Sequence, residues 1–471
     1  MNKKQVFLLN VVWEIAIEIH FLGGKEMKRI GFIALALLVL CGSLVFAGGG
    51  QDDSGKTKLT VLNYTDLTVA NAAKTEKWQW DTFLKANKDV AIEKEDLFNE
   101  PFHEKIAAYA ASGNVPDIMY VWPSGRSTAL HEKRLLKDLT PLIQKDGLTS
   151  KFIPAALDPS GQASNYIAML PQSITATHAM FINLEVLNAC GLKPAKTYAE
   201  LKSQVPVLKA KGYDTLIMAC KDTWVMQSCM FSMIAGRFCG TGWENKILSG
   251  QTKFTDPDFV AALDFIRQLY ADGVLPQSVL GIDYGEGPGL FATKKCAYYV
   301  DGDWRVGDFL EDEDTGAALF TTKQQQNIQI TVFPDIAGAK VNKSNSTILG
   351  TGWGMSAAIP SGSAREDAAW RALKWLSGAE VQTRQLSTGG IAAPTRTDID
   401  VKKIKLSPLQ VSIVNLGKEY STATCVIDGV FHADVYEPIN DGLVELGLGS
   451  KTAVQVAADV QKAYDAWKAS H

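Results

Sequence analysis

The chain has 471 residues, with 47 Lys and Arg against 51 Asp and Glu, a formal charge of −4 and 46% hydrophobic residues. That length holds two ordinary domains with full cores. The mild acidity, with no basic run anywhere, argues against nucleic acid and against an anionic membrane surface as partner.

From Met27 the chain reads MKRIGFIALALLVLCGSLVFAGGG. A basic start (Lys28, Arg29), an apolar stretch from Ile30 to Val45 and the ending Val45-Phe46-Ala47 make a secretory signal peptide over 27–47, with cleavage expected after Ala47. The apolar run of about 16 residues falls short of the roughly 20 that span hydrocarbon, and no later stretch approaches that length. Cys41 offers a lipid-attachment alternative, but Leu40 stands where a small residue is expected. Residues 1–26 have no role in this reading. Gly23-Gly24-Lys25-Glu26 is what a purine-rich ribosome-binding site would encode, so 1–26 is expected to be an upstream extension from a misplaced start. The expected location is the periplasm or the outer face of the cytoplasmic membrane. Six cysteines follow the signal (Cys190, Cys220, Cys229, Cys239, Cys296, Cys425); their number and spacing are no disulfide framework, and they are expected mainly as buried thiols, with room for one bridge among the four from Cys190 to Cys239.

After a flexible 48–57 the predicted elements alternate. Lys58 to Tyr64 reads as a strand. A helix-length segment with Trp78, Phe83 and Leu84 on one face follows, then a strand over Val90–Glu95. Pro101 to Ala110 reads as a helix stopped at Ser112-Gly113, and Ile118–Trp122 as a short strand closed by Pro123-Ser124-Gly125. Thr197-Tyr198-Ala199-Glu200 is a capping box opening a helix that Gly212 closes and Pro206 must distort. Asp256-Pro257 starts a helix with Phe259, Leu263, Ile266 and Tyr270 as its stripe. Ser363 caps another that buries Trp370 and Leu373, and the last runs from about Thr452 to Trp467. The loop Glu311–Thr315 is acidic, and Lys340–Ser346 is expected to be polar and exposed. Strands alternating with helices predict an α/β protein with largely parallel sheet. Ligands in such sheets sit beyond the carboxyl ends of the strands, here near Leu62, Val121, Val300 and Leu349.

Enzymatic constellations are missing. There is no G-x-S-x-G, H-E-x-x-H, G-x-x-x-x-G-K-[ST] or G-x-G-x-x-G pattern, and the scattered histidines lack ligand spacing, so neither metal nor cofactor is expected. Asp301 and Asp303 beside Trp304 admit a glycoside-hydrolase reading, but such pairs usually come from separate elements. Carboxylates accepting sugar hydroxyls and an indole against the apolar face of a pyranose fit binding better. Trp370, Trp375 and Trp467 sit on helices as core. Trp122, Trp224, Trp304 and Trp353 are the candidates for contact with a ligand.

Four segments in order resemble the extracellular solute-binding proteins, family 1, of carbohydrate ABC importers, the maltose-binding-protein-like group. They are Phe102 to Ile118 with its Ser112-Gly113 and Pro116-Asp117; Leu170-Pro171 with Phe181-Ile182-Asn183 and Pro194 to Leu201; Phe291 to Ala297 leading to Asp301-Gly302-Asp303-Trp304; and Gly350-Thr351-Gly352-Trp353-Gly354 through Trp375-Leu376-Ser377 to Thr395-Arg396. Ile182 and Tyr198 replace the family's usual Tyr and Trp, and Lys294 stands where Gly is usual. The resemblance implies a two-lobed periplasmic-binding-protein fold of type II with hinge crossings near Pro171–Thr175 and Ile348–Gly354. The lobes would be 58–172 with 348–396, and 173–347 with 397–471. It further implies a monomeric receptor that captures a sugar or oligosaccharide and hands it to membrane permease subunits, touching the membrane only through them or a lipid anchor. A non-sugar solute such as a polyol or glycerol phosphate, or a secreted carbohydrate-active enzyme, is the alternative. The expected ligand contacts are Trp304 and Trp224 as stacking platforms, Asp303, Asp66 and Arg396 as hydrogen-bonding groups, and Tyr64, Trp122, Ser124 and Trp353 lining the cleft.

Overall fold

A computed structural model describes residues 55–158 and 165–470; the signal segment, Cys41 and the 1–26 extension lie outside the described residues. In chain order the elements that frame the site are β1 (Thr57–Tyr64), α1 (Ala70–Ala86), β2 (Val90–Leu97), α2 (Glu100–Ser112), β3 (Ile118–Val121), β4 (Met169–Ala176), β5 (Ala179–Asn183), α3 (Tyr198–Ala210), β6 (Asp214–Ile217), α4 (Pro257–Ala271), β7 (Cys296–Asp301), β8 (Ile328–Thr331), β9 (Ser344–Met355), α5 (Ala364–Leu376), α6 (Ala379–Thr388), β10 (Ala393–Pro394), β11 (Ser421–Cys425), α7 (Ala433–Leu448) and α8 (Ala453–Ser470).

Two sheets result. The larger runs β10-β4-β9-β3-β1-β2, with β11 added beside β9, and the smaller runs β6-β7-β5-β8. Strands β1, β2 and β3 are parallel, as the alternation predicts. The rest of the large sheet is mixed: β9 lies antiparallel to both β3 and β4, β10 antiparallel to β4, and β11 parallel to β9. Each sheet has its own core. Leu59, Val61, Trp80, Phe83, Leu170, Trp353, Trp370 and Leu373 pack together on one; Phe181, Phe259, Ile266, Tyr298, Val456 and Val460 belong to the other. The chain is thus a two-lobed, mixed α/β protein. Among the described residues no helix is long and apolar enough to cross a membrane.

Local signals in the sequence act through identifiable contacts. Gly113 ends α2 at φ 72°, where a glycine avoids the Cβ clash of the left-handed conformation. The Ser363 hydroxyl accepts from the Glu366 amide at 3.1 Å and caps α5. At α3 the Thr197 hydroxyl accepts from the Glu200 amide, but the Glu200 carboxylate turns to the Lys196 amide instead, so the box is half made; the helix continues through Pro206. On α1 the inward faces are Trp80 and Phe83, and Trp78 is displaced to a half-buried contact with Trp375. All six cysteines are free thiols.

The expectation of an exposed Lys340–Ser346 holds at Lys340 and Lys343 and fails at the end of the stretch. Ser344, Asn345 and Ser346 begin β9 and are buried. Their polarity is absorbed internally: Asn345 Nδ2 donates to the His178 carbonyl at 2.9 Å and the Ser346 and Thr177 hydroxyls share a hydrogen bond of 2.6 Å. A buried polar strand is stable when its groups are paired. β9 continues as Gly350-Thr351-Gly352-Trp353-Gly354. Gly352 lies against the backbone of Leu170 and Pro171 so closely that any Cβ would collide; this lets β4 and β9 run against each other.

Candidate functional site

The parallel strands β1 to β3 deliver their carboxyl ends to one place. Tyr64 ends β1, Phe98 and Asn99 follow β2, Tyr120 stands one residue before the end of β3 and Trp122 follows it. These side chains, with His103 on α2, wall one side of a cavity of about 270 Å³. The wall is built by ring packing. Tyr64 meets Trp122 edge-on at 4.5 Å and Phe102 at 5.2 Å; His103 meets Trp122 at 4.9 Å. Tyr120 touches Trp353 at 5.3 Å, and Trp353 touches Trp80 at 6.1 Å, so the wall is continuous with the core beneath. Edge-to-face pairs of this kind add to the area they bury.

The opposite wall is held by charge and hydrogen bonds. Trp224, Tyr284, Trp304, Arg305, Asp308 and Asp428 line it. Arg305 is buried; its Nε donates to Asp301 at 2.9 Å, Nη1 to Asp308 at 3.3 Å and Nη2 to the Tyr284 carbonyl at 2.7 Å. The guanidinium also lies 3.7 Å from the Tyr284 ring centre. Tyr284 in turn accepts from the Trp304 indole N–H at 2.7 Å. Gly302 makes room for Trp304: a Cβ there would fall inside the indole. Ser173, Thr175 and Thr351, from the crossing strands, close the floor.

The two lobes touch around this cavity. Asn99 donates to Asp222 at 2.6 Å and accepts from the Trp224 indole at 3.1 Å. Arg126 donates to Asp428 at 2.6 Å. At another rim Lys74 pairs with Asp312 and Asp314 at 2.7 and 2.8 Å, and Arg384 reaches Glu313. The acidic loop read from the sequence therefore grips the basic groups of α1 and α6.

Burial governs titration here. It pulls the His103 imidazole well below its usual range, with the Arg126 charge adding to the effect, so the ring is neutral. Burial raises Asp308 against the opposing Arg305 charge, and Asp66 across the cavity adds to the rise. Burial would lower Arg126, but the Asp428 and Glu100 charges outweigh it and keep it cationic.

Of the residues expected at the site, Tyr64, Asp66, Trp122, Trp224, Trp304 and Trp353 line the cavity. Trp353 does so as the top of the core, 1% exposed. Asp303 does not. It is turned to the crossing strand, where its Oδ2 accepts from the Ala176 amide at 2.6 Å, and burial pushes its carboxyl up to about 8. The indole of the next residue faces the ligand side in its place. Arg396 is also absent from the lining: it pairs with Asp398 and lies 5.0 Å over the Phe152 ring. The Ser124 side chain lies outside the described residues. Asp301 is committed to Arg305, Tyr299 and the Gly302 amide, so it is not free to form an acid/base pair with Asp303. Sequence reasoning missed Phe98, His103, Tyr120, Arg126, Tyr284, Arg305 and Asp308. The short segment Asp303-Trp304-Arg305 directly after β7 could have supplied Arg305, since the turn after a strand stands at the crevice end of the sheet. No metal-holding cluster of acidic, His and Cys groups occurs among the described residues.

This architecture matches solved structures. A chitin oligosaccharide binding protein superposes with a TM-score of 0.75 at 20% identity, covering 87% of this chain and 98% of that one. The maltose/maltodextrin-binding domain MalE from Bdellovibrio bacteriovorus, bound to maltotriose, gives 0.65 at 16% identity over 87% and 99%. In sequence, a maltotriose-binding protein of Pyrococcus abyssi is 26% identical over 203 residues, 43% of this chain, and the match spans only 40% of that relative's length. The family model for bacterial extracellular solute-binding protein matches residues 64–383. By that match over most of its length, and by the fold around it, the chain belongs to the bacterial extracellular solute-binding protein family.

Proposed function

We propose that this protein is the substrate-binding receptor of an ABC importer, taking a sugar or oligosaccharide into the cavity between its lobes and delivering it to membrane permease subunits. One observation carries the reading: aromatic rings from both lobes face one cavity that also presents carboxylates. Ring faces pack the C–H surface of a pyranose, and carboxylates accept its hydroxyls. The ligands of the similar proteins, maltotriose and chitin oligosaccharide, belong to the same chemical class. In this reading Tyr64, Asp66, Trp122, Trp224 and Trp304 contact the ligand, over a floor that includes Trp353. The lobes divide at the crossings near Pro171–Thr175 and Ile348–Gly354. The receptor acts as a monomer at the outer face of the cytoplasmic membrane, after export, with no cofactor and no catalytic step.

Ligand that touches both walls favours the closed arrangement, because only differential affinity shifts such an equilibrium. A thermal-shift screen of sugars with product analysis tests the function. A large upward shift in Tm with the sugar recovered intact is expected, since ligand bound to the native state alone stabilises it. Turnover of a glycan would replace the receptor by a carbohydrate-active enzyme, and shifts with polyols or glycerol phosphate alone would replace the sugar.

A further inference from the structure

We infer that the site selects its solute by charge: it admits neutral and amino sugars, rejects uronic acids and phosphorylated solutes, and uses Asp66 and Asp308, one from each lobe, as the discriminating groups. The inference rests on the sugar-receptor reading and deepens it.

Four acidic residues line the cavity, Asp66, Glu76, Asp308 and Asp428, against two cations, Arg126 and Arg305, and no lysine. Both cations are already engaged. Arg305 spends its guanidinium on Asp301, Asp308 and the Tyr284 carbonyl. Arg126 is bound to Asp428 and, at 3.5 Å, to Glu100. An arginine that recognises a carboxylate or phosphate does so through a free, forked pair of N–H groups; Arg305 offers none without breaking its buried pair with Asp301, and the charge of Arg126 is already met by Asp428 and Glu100.

The acceptors, in contrast, are open. Asp66 takes the Thr68 amide and hydroxyl on one oxygen, Oδ1. Asp308 takes Arg305 on Oδ2 alone. Asp428 Oδ1 is buried and has no partner. An unpaired buried acceptor calls for a donor. Sugar hydroxyls and an ammonium supply donors; a carboxylate or phosphate supplies only acceptors and a like charge, which such an interface disfavours. Because Asp66 and Asp308 stand on different lobes, a donor-rich ring between them satisfies both at once, and an anion repels both.

The test is titration calorimetry on the full-length mature protein with matched probes: glucose, glucosamine and glucuronate; the three galactose counterparts; maltose, cellobiose, chitosan dimer and galacturonate dimer; and glycerol 3-phosphate. In whichever series binds, the neutral or amino member is expected to bind at least about tenfold tighter than the acid, with no heat from glycerol 3-phosphate. Asp308→Asn is expected to shrink that gap about tenfold. Asp66→Asn, on a half-exposed loop where folding is not at stake, is expected to shrink it too. A uronate that binds as well as its neutral partner, or a gap unchanged in both variants, overturns the charge selection while leaving a sugar receptor. Failure of every probe, in every charge form, overturns the receptor reading and this inference with it.

Discussion

The two walls of the cavity are made by different forces. On the side of β1 to β3 the rings of Tyr64, Phe102, His103, Tyr120 and Trp122 brace one another and run down through Trp353 into the core. On the side of β7 the scaffold is the buried ion pair of Arg305 with Asp301, completed by Tyr284, Tyr299 and Trp304. Packing is non-directional and degrades gradually when atoms are removed. A buried charge network is directional and fails abruptly when one member goes. The same substitution strategy should therefore give different signatures on the two walls.

The contrast breaks most sharply at Arg305. Arg305→Met strands the Asp301 carboxylate, 0% exposed, and is expected to cost about 3–5 kcal/mol of stability. Adding Asp301→Asn should restore at least half of that, read by chemical denaturation; no restoration would mean that the pair does not scaffold the wall. Next comes a matched comparison of indoles. Trp122→Ala removes a ring with four aromatic neighbours and is expected to lose about 3 kcal/mol of fold stability along with affinity. Trp304→Ala, half-buried on the charged wall, should lose about 1–2 kcal/mol but on the order of a hundredfold in sugar affinity. Equal stability losses would erase the distinction.

A smaller effect sharpens the picture at the crossing strands. The Asp303 carboxyl, pushed up to about 8 by burial, holds its proton in the folded state at pH values where an unfolded aspartate has lost it. The folded state then binds more protons, so stability falls as pH rises from about 4 to about 8. Asp303→Asn removes that decline, and its Tm at pH 9 relative to wild type should exceed the same difference at pH 5 by the equivalent of at least about 1 kcal/mol. Parallel pH curves would refute a protonated Asp303. The smallest change is expected at the rim, where Lys74 meets Asp312 and Asp314. Lys74→Met should leave Tm almost unchanged, and any difference at low salt should vanish near 1 M salt.

Much of the fold was legible because periodicity and caps are local. β1, α2, α4 and α5 follow from alternation, a Pro or Ser at the start and a Gly at the end. The aromatic half of the site was legible for the same reason, since residues after parallel strands must meet in one crevice. Direction within a turn was not. Asp303 and Trp304 are adjacent, and only the backbone of the 3₁₀ turn decides that one faces the Ala176 amide and the other the cavity. Arg396 was misread because its partners, Asp398 and Phe152, are fixed by tertiary structure. Ser344–Ser346 looked exposed because pairing with Thr177 and His178 cannot be seen in the sequence.

The place of β9 in the large sheet has a consequence for biosynthesis. It lies between β4 and β3, yet residues 344–355 are made after both, and after the four strands of the smaller sheet. Until they arrive, the nascent first lobe is a sheet with a slot through its middle, two facing strand edges with unpaired amides and carbonyls. Such edges recruit other strands, and non-local closure is slow. The order of synthesis thus makes both cores finish late: the large sheet waits, open-edged, for a strand threaded back to it, and the core around the smaller sheet waits for α7 and α8.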